Sequence, residues 1–212
     1  MACLSCGGHG PGRLWSGRWS CDHCGAPRYS QARPLLIVSG AAAAGKSSVC
    51  AMLAAEADGV LAFDVDVLAG GAAAVTGQFD YHAFWAYLSK ITFEIHQNKT
   101  DAVWCGVCRP EQVAEQPLEV VGAFSAVEML VLSCDAATYL DRLYRRPGGG
   151  QAVRRAAFHA TLNEDLRSSR SIGRLSVSHV DTTELTVQQT QRRSLAWVQE
   201  RVRASPVRSS TA

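Results

Sequence analysis

Two sets of side chains in this chain have the types and spacing to do chemistry. Gly40, four alanines, Gly45, Lys46 and Ser47 complete the pattern G-x-x-x-x-G-K-[ST]. In it, small residues let successive backbone N–H groups curl round an anion, the lysine reaches the outer phosphates of a nucleotide, and the hydroxyl joins a magnesium shell. Gly40, Ala43, Ala44, Gly45, Lys46, Ser47 and Ser48 are the expected phosphate contacts. The second set is Cys3-x-x-Cys6 and Cys21-x-x-Cys24, with fourteen residues between the pairs. Each pair makes a knuckle offering two thiolates, Gly7 and Gly25 follow where the turns tighten, and four sulfurs close a tetrahedral zinc site. So short a segment buries too little apolar surface to fold alone, so zinc would supply its folding free energy.

Further candidates lie beyond the phosphate loop. Asp64 and Asp66 end the apolar run Val60 to Phe63, eighteen residues after Lys46, the length of one helix and one strand. If the strand continues through them, carboxylates at i and i+2 leave its C-terminal end on one side, where open α/β sheets place ligands. The next apolar run ends in Trp104-Cys105-Gly106-Val107-Cys108-Arg109-Pro110. Its Cys-x-x-Cys is similar to a thioredoxin-type pair, but Gly106 and Arg109 at a strand end better suit a loop that holds a substrate. Arg142, Arg145 and Arg146 close a helix that runs into Pro147-Gly148-Gly149-Gly150, and Arg154 and Arg155 open the next. A basic helix end on a glycine hinge has the makings of a mobile cover, whose arginine forks hold phosphoryl charge bidentately.

Positioning these groups takes alternating strands and helices. Strands are expected at Leu35 to Val38, Val60 to Phe63, Ala102 to Val107, Val127 to Cys134 and Leu175 to Val180. Helices are expected at Ser48 to Ala57, Phe79 to His96, Ala136 to Arg146 with Asp135 as cap, Gln151 to Ser169, and Thr186 to Arg203; Glu111 to Gln116 reads as a helical turn. Apolar spacings of three and four make Phe84, Tyr87, Leu88, Ile91 and Ile95, with Trp85, core or pocket wall on the second helix, and turn Val187, Leu195, Val198 and Val202 inward on the last. His82 and His96 are expected on helix surfaces. Residues 70–77 read as a small-residue loop, 30–34 as a linker and 204–212 as a flexible tail.

With 212 residues, 47% hydrophobic and 19% charged, the chain can bury a substantial core. A net charge of +2 does not by itself imply nucleic acid. The charge is nonetheless uneven: residues 1–33 hold four arginines against one acid, and 134–174 eight against four. Trp15, Trp19, Arg13 and Arg18 lie between the cysteine pairs. They either pack the ribbon onto the main domain or stack on nucleic acid, and packing is the favoured reading. No signal peptide and no bilayer-length apolar run are present, so a cytoplasmic location is expected, and clustered cysteines there suit metal better than disulfides.

From Leu35 to about Arg203 the chain resembles the small P-loop kinases of the nucleoside and nucleotide kinase, shikimate kinase and chloramphenicol phosphotransferase group. The resemblance rests on GAAAAGKS, FDVD, CGVCRP, DRLYRRPG and DTTELT, met in that order. It implies a three-layer α/β P-loop NTPase fold with a five-stranded parallel sheet over residues 35–203, here preceded by a zinc ribbon at 1–30. ATP and magnesium are the implied cofactors beside zinc, and the implied activity is phosphotransfer. The acceptor is a small molecule: a nucleoside or nucleotide first, a sugar-like or antibiotic hydroxyl next. Asp64 with Ser47 would hold magnesium and Asp66 would bind or deprotonate the acceptor, or the two acids exchange roles. Lys46, Arg142 and Arg146 would act on the transferring group, Arg142, Thr182 and Thr183 flank the nucleotide, and Gly106 and Arg109 join Asp66 on the acceptor. The basic ribbon keeps open a reading as a nucleic-acid-binding or end-processing protein. Alanines stand where such loops commonly carry an extra glycine, and no clean Walker B aspartate follows the third strand.

Overall fold

Apolar runs of six or seven residues, such as Leu35 to Gly40 and Val127 to Ser133, set up strands buried on both faces, and the chain folds accordingly. The computed structural model describes residues 3, 5–8, 13–15, 18–26, 33–69, 81–116, 121–122, 124–146 and 150–204. Strands β1 (Arg13–Trp15) and β2 (Arg18–Ser20) pair antiparallel between the two cysteine pairs, Leu14 opposite Trp19. The main sheet comprises β3 (Leu35–Gly40), β4 (Val60–Asp64), β5 (Asp101–Gly106), β6 (Val127–Ser133) and β7 (Leu175–Asp181). It is parallel throughout, in the order β4-β5-β3-β6-β7. All five strands fall where the sequence places them, to within two residues.

The helices are α1 (Lys46–Glu56), α2 (Tyr81–Gln97), α3 (Pro110–Ala114), α4 (Ala136–Arg145), α5 (Gly150–Arg154), α6 (Ala156–Ser168) and α7 (Val187–Arg203). Alternating side chains divide the core into two faces. Leu36 and Val38 of β3, with Leu130 and Leu132 of β6, pack against Val49 and Leu53 of α1 and Trp197 and Val198 of α7. Leu35, Ile37, Met129 and Val131 pack against Leu88 of α2, Tyr139 and Leu143 of α4 and Leu162 of α6. This is the three-layer α/β P-loop architecture. The chain leaves central β3 for edge strand β4, returns to β5, and later crosses to β6 on the other side. The C-terminal end of β3 is therefore the topological switch point, where such sheets bind ligands. Among the described residues, no helix is long and apolar enough to cross a membrane.

Several local expectations are corrected. β4 stops at Asp64, and a helical turn over 65–69 begins at once, so the strand does not carry Asp66. The helix expected from 151 to 169 breaks at Arg155, which leaves helical dihedrals (φ −109°, ψ 26°) and separates α5 from α6. Tyr87 and Val187, expected inward, are 63% and 62% exposed, whereas Trp197 is buried. His96, expected on a surface, is buried edge-on to Phe124 with ring centroids 5.7 Å apart, and burial lowers its pKa to about 4. Arg33, read within the linker, is buried with its guanidinium donating to Asp101 at 2.6 Å, which ties the approach to β3 to the start of β5. The loop at 70–77, linker residues 30–32, hinge residues 147–149, tail residues 205–212 and the side chains of Trp15, Trp19, Arg13, Arg18 and His82 lie outside the described residues.

Candidate active site

Gly40 is the last residue of β3, behind the phosphate loop, and α1 begins six residues later, at Lys46. The turn between them needs left-handed backbone twice: Gly45 has φ 103° and Ala43 has φ 65°. At Gly45 that conformation costs little, but at Ala43 the β-carbon makes it unfavourable by about 1–2 kcal/mol. The alanine that replaces a loop glycine therefore sits at a strained position. Strain held by the surrounding structure is characteristic of ligand clamps. Lys46 is not the exposed side chain a free phosphate ligand would be: it is 9% exposed, and its ammonium donates to the Ala41 carbonyl at 3.0 Å. Burial lowers its pKa, while Asp66 and Asp64 pull it back up.

The acids reach the loop by two routes. Asp64 ends β4 and its Oδ2 accepts from the Ser47 hydroxyl at 3.4 Å, while Oδ1 accepts from the backbone N–H of Asp66 at 2.9 Å. That second bond starts the turn over 65–69 and swings Asp66 back to the sheet end, where its Oδ1 lies 3.5 Å from the Val107 N–H. The helical turn thus achieves what a continued strand was expected to do. Burial raises the Asp66 pKa, Lys46 lowers it, and neighbouring Asp64 raises it. Gly106 is required here, since a β-carbon would stand 2.2 Å from Val65 Cγ2 and 3.3 Å from Asp66 Oδ1.

One cavity of about 970 Å³ joins these groups. Ala43, Ala44, Gly45, Lys46, Ser47 and Ser48 form its floor, Asp64 and Asp66 one side, and Arg142 and Arg146 of the basic helix end the roof. Arg142 donates to the Thr182 hydroxyl at 2.8 Å and to its carbonyl at 2.7 Å, so its guanidinium is held at the rim. Thr182 itself is buried, and Thr183 donates to Asp181 and accepts from the Asp135 N–H; neither lines the cavity, where both were expected to flank the nucleotide. Arg109 lines a separate cleft, ion-paired with Asp165 at 3.1 Å. Sequence reasoning missed His159, Leu185, Val187 and Gln191, all in the wall. His159 has a buried Nδ1 without a hydrogen-bond partner, and burial, then Lys46, lowers its pKa. Only the break at Arg155 and the packing of α6 place it there, and no sequence pattern marks it.

Cys105 and Cys108 are both buried, and both thiol pKa values are raised, Cys105 by its hydrogen bond with Cys50 and Cys108 by burial. Cys105 lies inside β5 rather than opening a helix, and the Ser39 hydroxyl latches Cys108 by accepting from its N–H at 3.1 Å and donating to its carbonyl at 2.5 Å. This is packing, not redox chemistry.

The N-terminal cysteines form two like knuckles. Gly7 (φ 67°) and Gly25 (φ 68°) donate to the carbonyls of Cys3 and Cys21, and Cys3 and Cys21 to those of Gly8 and Ala26. The four sulfurs lie within 4.8 Å of one another, Cys3 to Cys24 at 3.7 Å and Cys6 to Cys21 at 3.8 Å. A tetrahedron with Zn–S bonds of about 2.3 Å has edges of about 3.8 Å, so the cluster fits zinc. Backbone N–H donors, Ser5 foremost at Cys3 and Cys24 at Cys21, lower both thiol pKa values.

No family model matches this sequence, and no curated protein matches it. Solved structures do. A sugar kinase from Janibacter sp. HTCC2649, determined without ligand, superposes with a TM-score of 0.55 at 14% identity over 79% of this chain and 95% of its own. A protein from Chloroflexus aurantiacus, provisionally described as a kinase, superposes with a TM-score of 0.53 at 17% identity over 82% of this chain and 98% of its own. At such identities the likeness is one of architecture alone: the chain shares the three-layer α/β fold of these structures.

Proposed function

We propose that the protein is a phosphotransferase that moves a phosphoryl group from ATP to the hydroxyl of a small molecule, nucleosides and nucleotides being the first class to test and sugar-like or antibiotic hydroxyls the next. The observation that carries this reading is the convergence of Lys46, Ser47, Asp64, Asp66 and Arg146 on one cavity at the switch point of the sheet. The loop N–H groups and the N-terminus of α1 would receive the phosphates, Lys46 the outer oxygens, and the apolar wall of Leu185 and Val187 the base. Magnesium, held by Ser47 and Asp64, would supply charge neutralisation on the outer phosphates. Asp66 would orient the acceptor hydroxyl and take its proton. Arg142 and Arg146 would hold the developing charge, so catalysis is mostly positioning and electrostatics. The cysteine cluster would hold zinc in a structural role.

The test is incubation with magnesium ATP and a panel of nucleosides, nucleotides, sugars and hydroxylated antibiotics, with mass spectrometry for products heavier by one phosphoryl group. A product formed by the protein and not by folded Lys46→Ala is expected. Product formation undiminished in that variant would overturn the reading.

A further inference from the structure

Beyond Asp66, on the side away from the phosphate loop, lies a second cavity of about 100 Å³ that shares Asp66 and Val107 with the first. Its walls include Phe84, Trp85 and Leu88 of α2 and Trp104 of β5, the two indoles lying 5.3 Å apart and tilted by 58°. Trp104 donates its ring N–H to the Thr92 hydroxyl at 2.7 Å, so its polar atom is committed to α2. Among the described lining residues, Asp66 has the sole charged side chain. The chain running into α2 supplies no cation either: from Ser47 to Ser89 there is no lysine or arginine. Arg109, the cation nearest along β5, is committed to Asp165 in another cleft.

We propose that this cavity receives the acceptor, and that the acceptor is an uncharged alcohol borne on a single aromatic ring or an apolar group of that size, rather than a phosphate-bearing molecule or a polyol. The inference rests on the phosphotransfer reading and narrows its acceptor, setting nucleotides and sugars aside. A ring of this size suits a cavity of this volume and would lie against the indoles. Its hydroxyl would donate to an Asp66 carboxylate oxygen at the junction of the two cavities. The acceptor oxygen then bonds to the γ-phosphorus as the bond to the bridging oxygen breaks, the nucleoside diphosphate leaves with the electron pair, and the hydroxyl proton passes to Asp66. An anionic acceptor meets the Asp66 carboxylate with no countercharge among the described residues of these walls, since Lys46 and Arg146, which act on Asp66, line the first cavity. A polyol without the ring leaves hydroxyls unpaired against indole and leucine, whereas a diol at the end of an aryl group keeps both of its hydroxyls on the Asp66 side.

A matched set of probes tests this on the whole protein: 3-phenylpropane-1,2-diol, 3-phenyllactate, which replaces a neutral hydroxymethyl by a carboxylate, and glycerol, which lacks the ring. Binding is read by saturation-transfer NMR with a non-hydrolysable ATP analogue present, and turnover by mass spectrometry with magnesium ATP. The diol is expected to bind at least tenfold more tightly than either other probe. Trp85→Leu should weaken the diol about tenfold while leaving affinity for the ATP analogue unchanged. Asp66→Asn, which removes the charge and keeps the side chain's shape, should narrow the gap between diol and 3-phenyllactate. Equal binding of the three probes, no binding of the diol, or an unchanged gap in Asp66→Asn overturns the proposal. If the ring preference holds but no probe is phosphorylated, the cavity assignment stands and phosphotransfer to this class fails. If glycerol or 3-phenyllactate is the better substrate, phosphotransfer stands and the acceptor class is wrong.

Discussion

Asp66 and Asp64 are two residues apart in sequence but differ in surroundings, and that difference separates their expected roles. Asp64 faces the Ser47 hydroxyl at the mouth of the loop, whereas Asp66 stands where the two cavities meet. Asp66→Asn keeps the shape and removes the proton acceptor, so the catalytic step should slow by about 100-fold or more with nucleotide affinity barely changed. Because burial raises its pKa, the acid limb of the rate profile should lie above that of an ordinary carboxylate, activity falling as pH drops through it, and Asp66→Asn should lose that limb. Asp64→Asn should instead raise the magnesium concentration needed for half-maximal rate. Rates across magnesium concentration decide between them, and rescue of Asp66→Asn alone by excess magnesium would exchange the two roles. A third residue bears on stability. His96 is depressed to about 4 in the fold against 6.5 when unfolded, so its contribution is present above pH 6.5 and is lost as pH falls towards 4, by about 3 kcal/mol over that window. His96→Phe should flatten this part of the acid limb in urea titrations. An identical limb in the variant would show that His96 does not titrate this way.

At the scale of elements, the phosphate loop is held in place by the seating of β3 between β5 and β6. The buried Arg33–Asp101 pair at the entrance to β3 and β5 belongs to that seating, with both side chains at most 4% exposed. Removing one partner of a buried pair leaves the other charge desolvated, so Arg33→Met should cost about 3–5 kcal/mol. The double variant Arg33→Met/Asp101→Leu should recover most of it. Equilibrium unfolding of the two variants checks this, and a single-variant loss below about 1 kcal/mol would show that the pair does not hold the strands together. The break at Arg155 matters in another way: a continuous helix from 151 to 169 would carry His159 on a different azimuth, whereas α6 restarts at Ala156 and places it in the cavity wall.

On the scale of the whole chain, the cysteine cluster and the α/β sheet offer different means of holding structure together. The sheet has two apolar faces, whereas the described residues of the N-terminal segment bring together four sulfurs at tetrahedral spacing. The purified protein should carry one zinc per chain, and Cys21→Ser/Cys24→Ser should reduce it to near zero by atomic emission while the sheet, followed by circular dichroism, persists. Undiminished zinc in that variant would move the metal elsewhere.

Local periodicity and short motifs account for the part of this protein that its sequence alone determined. Five apolar runs bounded by turn residues become strands because parallel strands covered on both faces need unbroken apolar stretches. The offsets of Gly45, Lys46 and Ser47, and of each cysteine pair with its glycine, prescribe turns spanning only a few residues, and those turns form as read. Features that depend on contacts distant along the chain were decided only by the tertiary structure. The order β4-β5-β3-β6-β7 sets the switch point, burial reverses the expected setting of His96 and Tyr87, and Arg109 turns to Asp165 rather than to Asp66. His159 and the indole-walled cavity come together from α2, β5 and α6, elements far apart in sequence. Periodicity says which face of a helix is apolar, but not which cavity that face will line, because that depends on how helices cross the sheet.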